Sequence, residues 1–192
     1  MIFPNLKKDK GFTLIETFVA ITILLIAVLI PLGVMSKAIE DGLFIKNKVI
    51  AYYLAQEGME LIINQVDSNI KSIGDGESSG WLDYMSSCVN SKCYGEVDLD
   101  SNKIYFGSCN YSDGCPYLTQ EQAGAPYGYG ESFPETIFKR SIKILPAIIS
   151  STGEEMAIPV EVTINWKNKS GMIEQELILD DYVFNAGYDI GQ

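Results

Sequence analysis

The chain has 192 residues, of which 14 are Lys or Arg, 25 are Asp or Glu and none is His, so its formal net charge is −11 at pH 7. This acidity argues against a nucleic-acid-binding protein, because contacts with phosphates require clusters of basic side chains. The absence of histidine removes the usual general base and the commonest metal ligand.

The first predicted element is an apolar helix of membrane length that follows a short basic leader. Lys7, Lys8 and Lys10 precede it, and no charged residue occurs from Thr17 to Ser36. At about 1.5 Å of rise per residue, this run matches a hydrocarbon core of ~30 Å. The positive-inside rule places the lysines in the cytoplasm and the residues after Ser36 outside. We therefore expect a single-pass membrane protein with an extracytoplasmic domain.

One acid, Glu16, lies at the start of the apolar run. An ionised carboxylate in a bilayer costs roughly 2.5 to 3.5 kcal/mol, so an unpaired acid is a poor choice for a simple anchor.

This segment has two plain interpretations. The first is an ordinary single-pass anchor with a stray acid at the membrane interface. The second is a secretory signal peptide, whose apolar region is usually ~7 to 15 residues long and ends at a small-residue cleavage site. The apolar run here is longer, and it continues through residues 31–35 without an Ala-x-Ala element.

The sequence Gly-Phe-Thr-Leu-Ile-Glu at residues 11–16, with lysines before it and an apolar run after it, resembles the N-terminal signature of type IV prepilins and pseudopilins. The resemblance covers about the first 36 of the 192 residues. It implies cleavage between Gly11 and Phe12 by a membrane prepilin peptidase and methylation of the new Phe12 amine. It also implies assembly into a helical filament, in which Glu16 is the fifth residue of the mature subunit. The new Phe12 α-amino cation would lie four residues from Glu16 on the same helix face, and the same two groups could pair between neighbouring subunits and set their axial stagger. Gly11 lacks a Cβ, so the backbone there can extend into the narrow cleft of the peptidase.

The partners implied by this resemblance are other pilin subunits, the prepilin peptidase and N-methyltransferase, an inner-membrane assembly platform, and lipid before assembly. The implied location is the membrane first and a filament at the cell surface afterwards. The resemblance implies no cofactor, and it implies a structural protein rather than an enzyme.

The helical pattern continues beyond the apolar run. Apolar residues recur at intervals of seven, four and seven, at Leu43, Ile50, Leu54 and Leu61. This spacing predicts one long helix from about Phe12 to about Ile70, with its second half backing a globular domain. Pro31 and Gly33 are expected to cause a kink or local melting. Gly42 and Gly58 are further weak points, each worth about 1 kcal/mol against Ala.

Residues 71–80 are polar and rich in Gly and Ser, so a loop is expected to begin there. In the turn-rich region that follows, residues 94–107 predict a short hairpin, with Val97 and Leu99 facing Ile104 and Phe106. Little other regular structure is indicated from Trp81 to Gly130.

Four cysteines, Cys88, Cys93, Cys109 and Cys115, all follow the membrane span. Their even number in an oxidising compartment predicts two disulfides. Folding of the hairpin favours a nested pairing of Cys93 with Cys109 and Cys88 with Cys115. Two local loops, Cys88 with Cys93 and Cys109 with Cys115, are the alternative. A four-thiolate zinc site fits less well, because zinc ribbons usually have two-residue spacings.

The last third of the chain has the alternation of strands, at residues 137–145, 156–166 and 172–183, with a turn at residues 167–171. In the middle strand one face is apolar, formed by Ile158, Val160, Val162, Ile164 and Trp166. The second half of the long helix can cover this face. The expected fold is therefore α+β, a long helix packed on an antiparallel sheet, which the pilin resemblance also implies.

Two details of this region have alternative interpretations. Arg140 falls on the apolar face of its strand, so it is either buried with an acid or located at the sheet margin. Tyr127 and Tyr129 lie in a Gly-rich segment that is either an adhesive loop or a turn whose tyrosines cover the sheet.

The resulting organisation has three parts. They are a leader at residues 1–11, a membrane or filament-core helix at 12–36, and an extracytoplasmic domain at 37–192, with its helix to about 70, a Cys-bearing loop region at 71–133 and a sheet at 134–185. The favoured function is a structural subunit, a minor pilin, of a type IV pilus-like filament. The alternatives are a type II secretion or DNA-uptake pseudopilin and a non-polymerising membrane-anchored adhesin or receptor. No catalytic triad, phosphate-binding loop or metal-ligand motif is present in the sequence.

Overall fold

A computed structural model of the chain describes residues 11, 13–76, 80–98, 101, 103–109, 114–130, 132–151, 153–167 and 174–185. This part of the chain contains one long helix, α1 (Leu14–Asp75), a short 3-10 helix (Ser86–Cys88) and eight strands. The strands are β1 (Cys93–Asp98), β2 (Lys103–Ser108), β3 (Tyr117–Gln120), β4 (Tyr127–Gly128), β5 (Glu135–Ile144), β6 (Ile148–Ile149), β7 (Glu155–Lys167) and β8 (Glu174–Phe184). The chain divides into two compact units, residues 1–46 and 47–192.

In the first unit, the described part of α1 is apolar and exposed. Every large apolar side chain from Leu14 to Ile45 is at least 44% exposed. By length and composition, α1 could cross a membrane. Residues 31–33 are helical, so the local melting that we expected at Pro31 and Gly33 does not occur.

The C-terminal end of α1 lies at Asp75 rather than near Ile70. Asn69 holds this end to the following loop, because its side-chain amide donates to the carbonyl oxygens of Trp81 at 3.1 Å and Asp83 at 2.7 Å. The helix stops where Gly76 adopts a positive φ of 78°, a conformation that glycine accepts without steric cost. The polar composition of residues 71–75 was therefore an unreliable sign of a loop.

The second unit contains an eight-stranded sheet whose ladders are antiparallel. The long strands β5, β7 and β8 confirm the three strands predicted for the last third of the chain. Strand β7 pairs with β8 along one edge and with β5 and β6 along the other. Most of the predicted turn at residues 167–171 lies outside the described residues.

The second half of α1 packs on one face of this sheet. The predicted apolar face of β7 is buried, because Ile158, Val160, Val162, Ile164 and Trp166 are each at most 4% exposed. The helix contributes Ala51, Leu54, Ala55, Met59, Ile62 and Val66 to the same core. These contacts confirm the α+β arrangement of a long helix on an antiparallel sheet.

The hairpin predicted in the Cys-bearing region is present as β1 and β2. Val97 pairs with Ile104, and Gly95 pairs with Phe106. Leu99, at the predicted turn, lies outside the described residues.

The four cysteines form two local disulfides, Cys88–Cys93 and Cys109–Cys115, so the nested pairing that we favoured is wrong. The register of the hairpin explains the difference. Cys93 pairs with Ser108. The Cys109 N–H instead donates to the carbonyl oxygen of Lys92, the residue before Cys93, at 3.1 Å. Successive side chains of a strand point to opposite faces, so Cys93 and Cys109 are directed away from each other.

Candidate functional site

The N-terminal segment carries three of the residues that the sequence analysis selected. Gly11 is exposed, and a Cβ added to it would meet no atom within 4 Å. The fold therefore imposes no steric need for glycine at this position. Phe12 lies outside the described residues, so its pairing with Glu16 stays a prediction.

Glu16 lies in the first turn of α1 with an exposed side chain. This turn begins at Thr13, whose carbonyl oxygen accepts hydrogen bonds from the N–H groups of Glu16 at 3.1 Å and Thr17 at 3.2 Å. A carboxylate is favourable there, because the unpaired N–H groups at a helix N-terminus carry partial positive charge. The next basic residue along the sequence is Lys37, more than five turns further on. A cationic partner for Glu16 must therefore come from the chain's N-terminal side or from another molecule.

A second candidate site lies in the second unit, where the sheet divides. Ile142 pairs with Val162 on one edge of β5 and with Cys93 of β1 on the other. Lys139 pairs with Asn165 on the first edge and with Tyr117 of β3 on the second. Strands β1 and β3 therefore share one edge of β5 and diverge from it. We call the space between them the fork cleft.

The fork cleft has a volume of about 770 Å³. Its lining includes Glu57 and Leu61 of α1, residues 95–98 of β1, Thr119 of β3, residues 125–130, and Arg140 of β5. The cleft thus lies between the helix and the two diverging hairpins.

Arg140 lies at the base of the fork cleft and is only 2% exposed. Its Nη1 atom is 3.1 Å from Oε1 of Glu57, which is 47% exposed. The guanidinium also donates to the Gly95 carbonyl oxygen at 3.0 Å and to the Leu54 carbonyl oxygen at 3.4 Å. Of the two alternatives for Arg140, the structure confirms burial with an acid.

Tyr129 covers Arg140 from the side of the β4 segment. Its ring centroid lies 6.0 Å from Cζ of Arg140 and 4.9 Å from the ring centroid of Tyr94. Tyr127 packs nearby, edge to face, on Phe138 of β5. The tyrosines of this Gly-rich segment therefore cover the sheet, as one of the two interpretations predicted.

Two polar atoms of this cluster, the Tyr129 hydroxyl and Nε of Arg140, are buried without a hydrogen-bond partner among the described residues. Burial raises the pKa of the Tyr129 hydroxyl, and the neighbouring Arg140 cation partly opposes that shift. Tyr129 is therefore protonated at neutral pH. Together with Arg140 Nε–H it offers two hydrogen-bond donors.

The sequence analysis selected Arg140 and Tyr129 but missed Glu57 and the fork cleft itself. Alternation along β5 identified Arg140 as unusual, because a guanidinium on an apolar face needs a partner. That partner lies 83 residues earlier in the chain, so no local pattern connects the two. The selected cysteines belong to the second unit, and the residues at 11–16 belong to the first.

A family model described as the prokaryotic N-terminal methylation motif matches residues 6–30. No curated protein and no solved structure matches the chain. The matched residues include Gly11, Phe12 and Glu16, which the sequence analysis selected. This motif is the hallmark of type IV pilins and pseudopilins, and it supports a type IV pilin-like or pseudopilin precursor.

Proposed function

We propose that this chain is a structural subunit, a minor pilin, of a type IV pilus-like filament. The observation that carries the proposal is the coincidence of the methylation motif at residues 6–30 with the exposed apolar part of α1. In this proposal prepilin peptidase cuts between Gly11 and Phe12, and the Phe12 amine is methylated. The motif favours a structural rather than an enzymatic role.

The exposed apolar surface of α1 supports assembly. Side chains from Leu14 to Met35 present a contiguous apolar surface that is unfavourable in water, so they need lipid or other helices around them. Membrane lipid covers them before assembly, with the leader in the cytoplasm and residues 37–192 outside. Neighbouring subunits replace the lipid in the filament.

Glu16 favours contacts with neighbouring subunits over contacts with lipid. Its carboxylate is costly in a bilayer unless it is paired, and its own helix offers no basic side chain before Lys37. The Phe12 amine of a neighbouring subunit supplies a cationic partner for Glu16, but only when the two subunits have the correct axial offset. The ion pair therefore stabilises the subunit in the filament and fixes the axial stagger between subunits.

The test compares wild type with Glu16→Ala and Glu16→Gln, and measures the subunit in sheared filaments relative to the amount in membranes. We expect the filament-to-membrane ratio of both variants to be at least about tenfold lower than that of wild type, which corresponds to a loss of about 1.4 kcal/mol per subunit. Glu40→Gln is the matched control, since it removes a carboxylate of the same helix beyond the apolar run. Intact mass should show a mature chain that starts at Phe12 in all four proteins.

Equal incorporation of Glu16→Ala, Glu16→Gln and wild type would contradict this role of the carboxylate and favour the non-polymerising anchored receptor. Gly11→Val should block cleavage and leave the precursor in the membrane. The abundance of the subunit relative to other pilins in the same filaments decides between a minor and a major pilin.

A further inference from the structure

We propose that the fork cleft binds an extended peptide segment that carries basic side chains. This inference goes beyond the proposed function and does not depend on filament assembly, because residues 57–140 of the second unit form the cleft. Three features of the lining carry it: its charge, its aromatic rings, and the hydrogen-bonding groups at its base.

The charge of the lining favours a cation. Among the described residues that line the cleft, four are acidic, Glu57, Glu96, Asp98 and Glu121, and one is basic, Arg140. Glu57 already pairs with Arg140, and Asp98 accepts a hydrogen bond from the Ser101 hydroxyl. The excess negative charge therefore lies at Glu96 and Glu121. An anionic ligand would be repelled, whereas Lys or Arg side chains are attracted.

Aromatic rings lie beside these acids. Tyr105 and Phe133 line the cleft and are 55% and 43% exposed, and Tyr127 also lines it. Cations bind favourably to the faces of such rings, and the aliphatic stem of a Lys or Arg side chain packs on them. Acids and rings together therefore suit a long basic side chain better than a small hydrated ion.

The backbone of β1 suits an extended ligand. On its β5 side, β1 pairs at Cys93 with Ile142, and no strand partner continues along residues 95–97 among the described residues. The Gly95 carbonyl oxygen on this edge already accepts a hydrogen bond from Arg140, which shows that the edge faces the cleft. An incoming peptide can add main-chain hydrogen bonds to such an edge.

The base of the cleft provides donors for a peptide carbonyl. The Tyr129 hydroxyl and Arg140 Nε–H have no partner among the described residues, and both residues line the cleft. Both atoms are enclosed, so the Tyr129 ring must turn to let a ligand oxygen reach them. A neutral carbonyl oxygen can use these donors without the repulsion that a carboxylate would meet from Glu96 and Glu121.

The test uses the oxidised full chain in micelles of a neutral detergent, with fluorescence anisotropy of labelled peptides as the measurement. The probe is a hexapeptide of alternating Val and Lys, acetylated and amidated at its ends. The comparison probes are the same peptide with Glu in place of Lys and a linear glucose hexasaccharide as a competitor. Empty micelles give the background.

We expect the Lys peptide to bind and the Glu peptide not to bind. The double variant Glu96→Gln/Glu121→Gln should weaken Lys-peptide binding about tenfold, because it removes two ionic contacts. The matched control Glu161→Gln/Glu176→Gln, on β7 and β8 away from the cleft, should bind as wild type does. Tyr129→Phe keeps the ring and should weaken binding about threefold, since it removes one hydrogen-bond donor.

Several results would overturn the proposal. The first is that the Lys peptide does not bind even at about 1 mM, a concentration at which weak association is still detected. The second is that the Glu peptide binds equally well. The third is that the hexasaccharide displaces the Lys peptide. Equal loss of affinity in the cleft and control double variants would also overturn it. If Tyr129→Phe binds the Lys peptide with unchanged affinity, the Tyr129 hydroxyl does not bind the peptide, which contradicts the proposed role of this donor. Each result leaves the filament assay with Glu16 variants unaffected, so the two proposals fail separately.

Discussion

The ion pair between Arg140 and Glu57 is asymmetric in its exposure to water. Arg140 is 2% exposed and Glu57 is 47% exposed, at a distance of 3.1 Å between Nη1 and Oε1. A buried cation without a counter-charge is costly, whereas a half-exposed carboxylate can be solvated when its partner is lost. The two members of the pair are therefore not equivalent for stability.

We predict that Glu57→Gln destabilises the protein more than Arg140→Met does. Glu57→Gln leaves the buried guanidinium with only carbonyl oxygens as acceptors, and should lower the free energy of unfolding by about 2 to 3 kcal/mol. Arg140→Met removes the buried charge and fills similar space, so we expect a loss of about 1 kcal/mol or less. Chemical unfolding of the full chain in detergent measures both. A larger loss in Arg140→Met would contradict this assignment.

Sequence reasoning reached part of this cluster. The alternation of β5 placed Arg140 on the same face as Ile142 and Ile144, which are buried as expected. Selecting Glu57 among the many acids of the chain requires the rotation of α1 about its axis and its position along the sheet. Those quantities depend on packing between distant segments, which the period of a single strand does not contain.

At Gly58, α1 approaches the sheet closely. A Cβ added there would lie 2.9 Å from Cγ1 of Val162 and 3.0 Å from Cδ of Arg140. The sequence analysis treated Gly58 as a weak point of the helix, on propensity alone. The structure shows a packing role, because the missing side chain lets α1 approach β7.

We predict opposite effects of alanine at two glycines of α1. Gly58→Ala gains about 1 kcal/mol of helix propensity but overpacks the contact with Val162, for a net loss of about 1 to 2 kcal/mol. Gly74→Ala, where an added Cβ meets no atom within 4 Å, should gain about 0.5 to 1 kcal/mol. Urea unfolding of both variants measures the difference. A higher free energy of unfolding for Gly58→Ala would contradict this prediction, because it would show that α1 can move away from the sheet without loss of stability.

The elements with regular periodicity were predictable, and the contacts that depend on register were not. Alternation located β5, β7 and β8, and the hairpin of β1 and β2 followed from two short apolar runs around a turn. The predicted disulfide pairing was wrong, because the choice depends on which faces of the hairpin Cys93 and Cys109 occupy. One residue of register separates a Cys93–Ser108 pair from a Cys93–Cys109 pair, and the sequence of the hairpin does not fix it.

The distribution of burial along α1 separates the two units of the chain. Buried helix residues begin at Ala51 and extend to Asn69, and they belong to the core of the second unit. The described large apolar residues before Asn47, from Leu14 to Ile45, are exposed. Under the proposed function this division has a reason, since a helix that passes from lipid to contacts with other subunits needs its apolar side chains on the outside.

We predict that residues 47–192 alone form a soluble, folded, monomeric domain that does not enter filaments. The fragment keeps the sheet, the buried helix residues from Ala51 onward and both disulfides, and its length suffices for one hydrophobic core. Oxidised fragment should elute as a monomer without detergent, contain no free thiol and unfold in one cooperative transition. The chain from residue 12 onward is the matched control and should require detergent, since it keeps the exposed apolar helix. Aggregation of the fragment, or a gradual non-cooperative transition, would show that the second unit needs the first half of α1 for its stability.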